Sequence, residues 1–105
     1  MSKPIKNYIV VLHAVFEMRR RGISDEVLRQ VLISPEWRET VREGRDILQS
    51  RISFQGGIYL VRVFVDVDRE PAEVVTVYRT SKMNKYWKDM FEENESLPLP
   101  TPESL

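Results

Sequence analysis

Apolar residues recur along this chain with two different periods, and the change from one to the other divides it into a helical first part and a sheet-like second part. Tyr8 to Met18 is almost uniformly apolar apart from His13 and Glu17, which predicts an element buried on most sides. Its β-branched start, YIVVL, is compatible with a short strand. LHAVFEMRRRG reads better as a helix: Arg19, Arg20 and Arg21 suit the negative end of its dipole, and Gly22 suits a left-handed stop. A second helix is clearly punctuated, with Ser24 as N-cap, Asp25 and Glu26 in the first turn, and Ile23 placed to staple onto Leu28. Val27, Leu28, Val31 and Leu32 form its core face. Ser34-Pro35 predicts a third, short helical piece, anchored by Trp37 and Val41 and ended by Gly44.

From Arg45 the period is two, and three strands are expected in meander order. Leu48, Ile52 and Phe54 mark one face of the first and Gln49, Arg51 and Ser53 the other, with an irregular step at Ser50. Gly56-Gly57 is a tight hairpin signal. The next strand, Tyr59 to Val67, sets Tyr59, Val61, Val63, Val65 and Val67 toward the core and Arg62 away from it; DREPAE then turns the chain. In VVTVYRTSKMNKYW, Val75 and Val77 alternate with Thr76, Tyr78 and Thr80, after which Met83, Tyr86, Trp87 and Met90 follow helical spacing. The predicted fold is α+β: N-terminal helices packed on an antiparallel meander of three or four strands, with a C-terminal helix near Met83 to Glu93. Residues 1–93 form a single domain after a short polar leader, and residues 94–105, with prolines at 98, 100 and 102, form a tail expected to be disordered.

Composition narrows the chemistry. At 105 residues one modest core is expected. The absence of cysteine excludes thiolate chemistry, a single histidine argues against a histidine-based metal site, and no cofactor motif is present. No apolar stretch is long enough for a membrane span, so a soluble, cytoplasmic protein of bacterial style is expected. The net charge of zero hides an asymmetry: residues 1–88 hold all 16 Lys and Arg and 11 of the 16 acids, a net +5, while residues 89–105 hold the other five acids and no base. A basic body favours phosphate-bearing partners through counterion release.

If one face of the strands packs on the helices, the opposite face carries Gln49, Arg51, Arg62, Thr76, Tyr78 and Thr80. Such a face suits RNA, with arginines for phosphates, tyrosine for base stacking and hydroxyls for sugars. It also suits metal-free phosphodiester cleavage, in which a base activates the 2′-hydroxyl, an acid protonates the leaving oxygen and cations stabilise the charged intermediate. His13 is the one side chain that titrates unperturbed near neutral pH. Each of these residues also has a plain reading: a lone histidine in an apolar helix is usually packed, and arginines on a sheet face are usually solvated or paired. Composition and periodicity alone give a small α+β domain and no function.

The pair HAVFEMRRRGIS (His13 to Ser24) and TVYRTSKMNKY (Thr76 to Tyr86) resembles a family of small bacterial domains of unassigned function, related to RelE/ParE-like and BrnT-like toxins. The resemblance covers nearly the whole chain except the leader and tail. It implies the RelE/barnase-like ribonuclease fold and a metal-independent endoribonuclease toxin, cleaving RNA by acid-base catalysis and paired with a cognate antitoxin protein. The family's helix histidine matches His13, its Arg-Gly-Ile turn matches Arg21, Gly22 and Ile23, and its last strand matches Tyr78 to Lys82. Glu17 departs from the pattern, since family members commonly carry arginine there; a carboxylate lowers the local positive charge and is spaced to orient His13 by an i, i+4 hydrogen bond. The expected catalytic set is His13, Arg51, Arg79 and Lys82, converging on one phosphate, with Gln49, Arg62, Tyr78, Thr80 and Tyr86 as RNA-binding residues. Arg79 has the opposite strand parity from Tyr78 and Thr80, so the convergence needs the strand to end near Arg79. The alternative reading is a non-catalytic RNA- or protein-binding module of the same fold.

Overall fold

A computed structural model describes residues 3–83. The elements run β1 (Tyr8–Val10), α1 (Leu12–Arg21), α2 (Asp25–Ile33), β2 (Trp37–Arg42), β3 (Arg45–Phe54), β4 (Gly57–Asp66) and β5 (Ala72–Thr80). The strands form one sheet in the order β1-β5-β4-β3-β2, and both helices lie against one face of it. The architecture is α+β, as expected, but the sheet is mixed and five-stranded rather than a pure antiparallel meander. β1 pairs parallel to β5, Tyr8 beside Ala72 and Val10 beside Val74. Three residues suffice because the edge of β5 is already formed, and Ile9, Val10 and Val11 are shaped for an extended backbone.

Both helix boundaries follow local chemistry. Gly22 stops α1 at φ 68°, and the Ile23 amide donates back to the Met18 carbonyl at 2.9 Å. The Ser24 hydroxyl accepts from the Val27 amide at 3.1 Å, and Ile23 and Leu28 are both buried in the core, as a staple requires. α1, however, is not buried on most sides: only Ala14 and Met18 are fully covered.

The predicted third helical piece is a strand. Ser34 closes α2, the Glu36 amide donates to the Ser50 hydroxyl at 3.0 Å, and Trp37–Arg42 then pairs with β3. A helix here would have had only Trp37 and Val41 to bury, whereas a strand supplies hydrogen-bond partners for the free edge of β3. Arg38 and Thr40 reach across to Asp46 at 2.9 and 3.0 Å and fix that pairing. Gly44 is therefore a hairpin residue rather than a helix stop. Its φ of 84° fits the Glu43-Gly44 turn, and its carbonyl accepts from the Val67 amide at 2.9 Å. The irregular step at Ser50 also disappears. Ser50 alternates regularly with Leu48 and Ile52 on the helix-side face, and its hydroxyl is used to satisfy the start of β2.

The Gly56-Gly57 signal holds: Phe54 pairs with Gly57 across a two-residue loop, and Gly57 has φ 135°. Val61, Val63 and Val65 point into the helix-side core as expected. In β5 the register slips, with Phe64 opposite Thr76 but Val65 opposite Val74, so Val75 is the extra residue and Val74 takes the core place expected for it. The C-terminal helix from Met83 to Glu93 and the tail 94–105 lie, apart from Met83, outside the described residues.

Candidate nucleic-acid interface

Strand pairing assigns each candidate side chain to a face. Gln49 sits opposite Arg62, Arg62 opposite Tyr78, Arg51 opposite Leu60 and Leu60 opposite Thr80, so this group shares the face turned away from the helices. That face carries the polar residues expected, but its centre is closed. Ile47 and Leu60 are buried at its centre, and Gln49 is only 1% exposed. Its cations are engaged. Arg62 donates from Nε to Gln49 Oε1 at 2.9 Å and from Nη1 to the Tyr78 hydroxyl at 2.7 Å, with its guanidinium 5.8 Å from both the Phe64 and Tyr78 ring centres. Gln49 Nε2 is buried without a hydrogen-bond partner among the described residues. Arg51 forms a two-point pair with Glu36, Nε to Oε1 at 3.1 Å and Nη2 to Oε2 at 2.9 Å, and its backbone amide donates to the same carboxylate. This arginine holds the Glu36 carboxyl below its usual range, first through the side-chain hydrogen bond.

Arg79 belongs to the other face. It lies opposite Val61 and has the parity of Val77, both core residues, so Arg51 and Arg79 project from opposite sides of the sheet. The strand does end near Arg79, at Thr80, but Arg79 is still paired with Val61 and keeps its strand parity, so the two are not brought together. The proposed four-residue convergence is thereby divided. Lys82 follows the strand; its backbone amide donates to Thr80 Oγ1 at 3.0 Å, and the residue is exposed. Tyr86 lies outside the described residues.

Sequence reading missed the residues that hold Arg79. Phe54, at the end of β3, and Tyr59, in β4, pack edge to face with ring centres 5.6 Å apart, and the Arg79 guanidinium carbon lies 4.3 Å from one ring centre and 4.5 Å from the other. A cation so placed is attracted by both ring faces and loses much of its rotamer freedom. Among the described residues no carboxylate or carbonyl accepts from its guanidinium, which distinguishes it from Arg20, Arg21, Arg38, Arg45, Arg51 and Arg69. The available signal was the parity of Arg79 with Val77 and of Tyr59 with Val61; the pairing across three strands was not readable locally.

His13 sits on the first turn of α1 with its side chain 67% exposed. It does not meet Arg51, and it is not oriented by Glu17. The gap from Nε2 to Glu17 Oε2 is 4.0 Å, beyond a hydrogen bond, while Arg20 and Arg21 take the Glu17 oxygens at 2.7 to 3.0 Å. Those arginines, Arg21 foremost, lower the Glu17 carboxyl pKa. Among the described residues no group of three His, Cys, Asp or Glu side chains could hold a metal ion, and no helix is long and apolar enough to cross a membrane.

Against known proteins, no family model matches this chain, and neither curated proteins nor solved structures give a match.

Proposed function

We propose that this domain binds RNA through a phosphate contact centred on Arg79. The observation that carries this reading is a guanidinium held against the Phe54 and Tyr59 rings with no acidic partner among the described residues. Aromatic contacts fix the plane of the group and leave its in-plane N–H donors for an anion, which a planar, two-point phosphate contact uses well. Lys82, three residues on and exposed, adds a second cation, and Tyr59 offers an aromatic ring beside the same group for a base. The +5 charge of residues 1–88 supports capture of a polyanion.

The resemblance to RelE/ParE-like and BrnT-like domains extends this reading to a toxin of a toxin-antitoxin pair with the RelE/barnase-like arrangement. Metal-independent RNA cleavage is the second reading, and the exposed ring of His13 favours it, because a packed structural histidine would be covered. The Arg51–Glu36 pair favours binding without turnover: it neutralises one of the cations that cleavage was expected to use.

The test is fluorescence anisotropy with a labelled single-stranded RNA of about a dozen nucleotides over a range of salt, together with a gel assay for cleavage. Arg79→Ala should weaken binding about tenfold and reduce the salt slope by about one, with Arg79→Lys intermediate. Parent-like affinity in a folded Arg79→Ala protein would overturn the binding reading. Cleavage that falls about 100-fold in His13→Ala would establish the second reading in its place.

A further inference from the structure

The exposed residues of α1 are Leu12, His13, Phe16, Arg19 and Arg20, at offsets of 0, 1, 4, 7 and 8, which is one continuous helix face. Leu12 is 67% and Phe16 57% exposed, on an ordered helix anchored from behind by Ala14 and Met18. Neither residue belongs to the hydrophobic core or packs against it. Single exposed apolar residues are ordinary, but two large ones in register on adjacent turns form the kind of patch that marks a binding surface. The face is also one-sided in charge. Its apolar half lies at the helix N-terminus and its cationic half, Arg19 and Arg20, at the C-terminus; the one acid of the helix, Glu17, is 16% exposed and has both oxygens taken by Arg20 and Arg21.

We infer that this face of α1 docks an amphipathic helix of another protein, running antiparallel to α1, with acids in its N-terminal turns and apolar anchors in its later turns. Antiparallel docking sets the partner's N-terminus beside Arg19 and Arg20. Acids are intrinsically favoured in that first turn, so charge and dipole preferences agree. The anchors then fall beside Leu12 and Phe16, as in helix-in-groove recognition. A second copy of this chain fits poorly. Antiparallel pairing of two α1 helices would bring Arg19 and Arg20 of one against the positive N-terminal end of the other, with no exposed acid to meet them. The inference does not depend on RNA binding, since it uses neither Arg79 nor Lys82.

The probe is a synthetic amphipathic peptide of about four turns with glutamates in its first half and Leu and Phe at i, i+4 in its second, compared with a peptide of reversed order and one with lysine for glutamate. Calorimetry on the full chain should give micromolar binding of the first peptide, about tenfold tighter than the reversed one. Phe16→Ser and Leu12→Ser should abolish it with little change in melting temperature, because neither residue belongs to the core. Arg19→Glu should shift the preference to the lysine peptide. No binding at about 1 mM, equal binding of the forward and reversed peptides, or a dimer in sedimentation that Phe16→Ser dissolves would overturn the inference. So would recruitment to anionic lipid vesicles with no preference among the peptides.

Discussion

Glu17 turns away from His13 and toward Arg20 and Arg21: the carboxylate lies 2.7 Å from Arg20 Nη2 and 4.0 Å from His13 Nε2, although both spacings, i+3 and i−4, bring side chains to the same helix face. The guanidinium groups win because they are permanently charged and each presents several N–H donors in a fork that matches a carboxylate. Glu17→Gln should therefore leave RNA affinity and any cleavage of the His13 protein unchanged. A large loss of activity in Glu17→Gln, measured at equal folded fraction, would show that the carboxylate does act on the histidine in solution.

Acid should weaken the fold in a defined direction. Glu17, Glu36 and Asp66 all have carboxyl pKa values below their ordinary ones, lowered chiefly by hydrogen bonds from Arg21, Arg51 and Arg45 respectively. A carboxylate whose pKa is depressed by folding stabilises the native state fully above its unfolded value, and that contribution is lost as pH falls through the lowered folded value. Urea midpoints should be level from neutral pH down to the ordinary carboxylate range and fall below it. Arg45→Met should flatten part of that fall, since Asp66 then loses its main partner; an unchanged profile would count against the Arg45–Asp66 pair as a contributor.

Two glycines in neighbouring turns should respond differently to alanine. Gly44 has φ 84°, and a Cβ there would stand 2.6 Å from Asp68 Oδ2, so Gly44→Ala combines backbone strain with a contact that Asp68 must yield. A cost of about 1–2 kcal/mol is expected from the conformation alone. Gly56 has no positive φ and only the Tyr59 hydroxyl at 3.7 Å, so Gly56→Ala should be close to neutral. Chemical denaturation of the two variants checks the contrast, and equal effects would refute it.

The two sheet faces should both prove to be structural at their centres. Leu48, on the helix side, and Leu60, on the other, are each 0% exposed. Each Leu→Ala change should cost about 2–5 kcal/mol. A Leu60→Ala protein as stable as the parent would mean that the face away from the helices is loosely covered in solution.

Local chemistry determined much of this protein directly. The serine cap of α2, the Gly22 stop of α1, the Gly56-Gly57 hairpin and the valine alternation of β4 each depend on residues within a few positions of one another, and all four stand in the structure. What neighbouring residues could not determine was which strand edges needed partners. Trp37–Arg42 became β2 because β3 offered an edge, Tyr8–Val10 became β1 because β5 did, and Val75 was displaced by a register slip set by β4. The candidate site followed the same division. The residue types were legible, but a side chain's face depends on strand parity and its partners on register, and both are fixed by hydrogen bonds between segments far apart in the chain. Thus Arg51 was claimed by Glu36, fifteen residues away, and Arg79 was held by Phe54 and Tyr59 on the opposite side of the sheet.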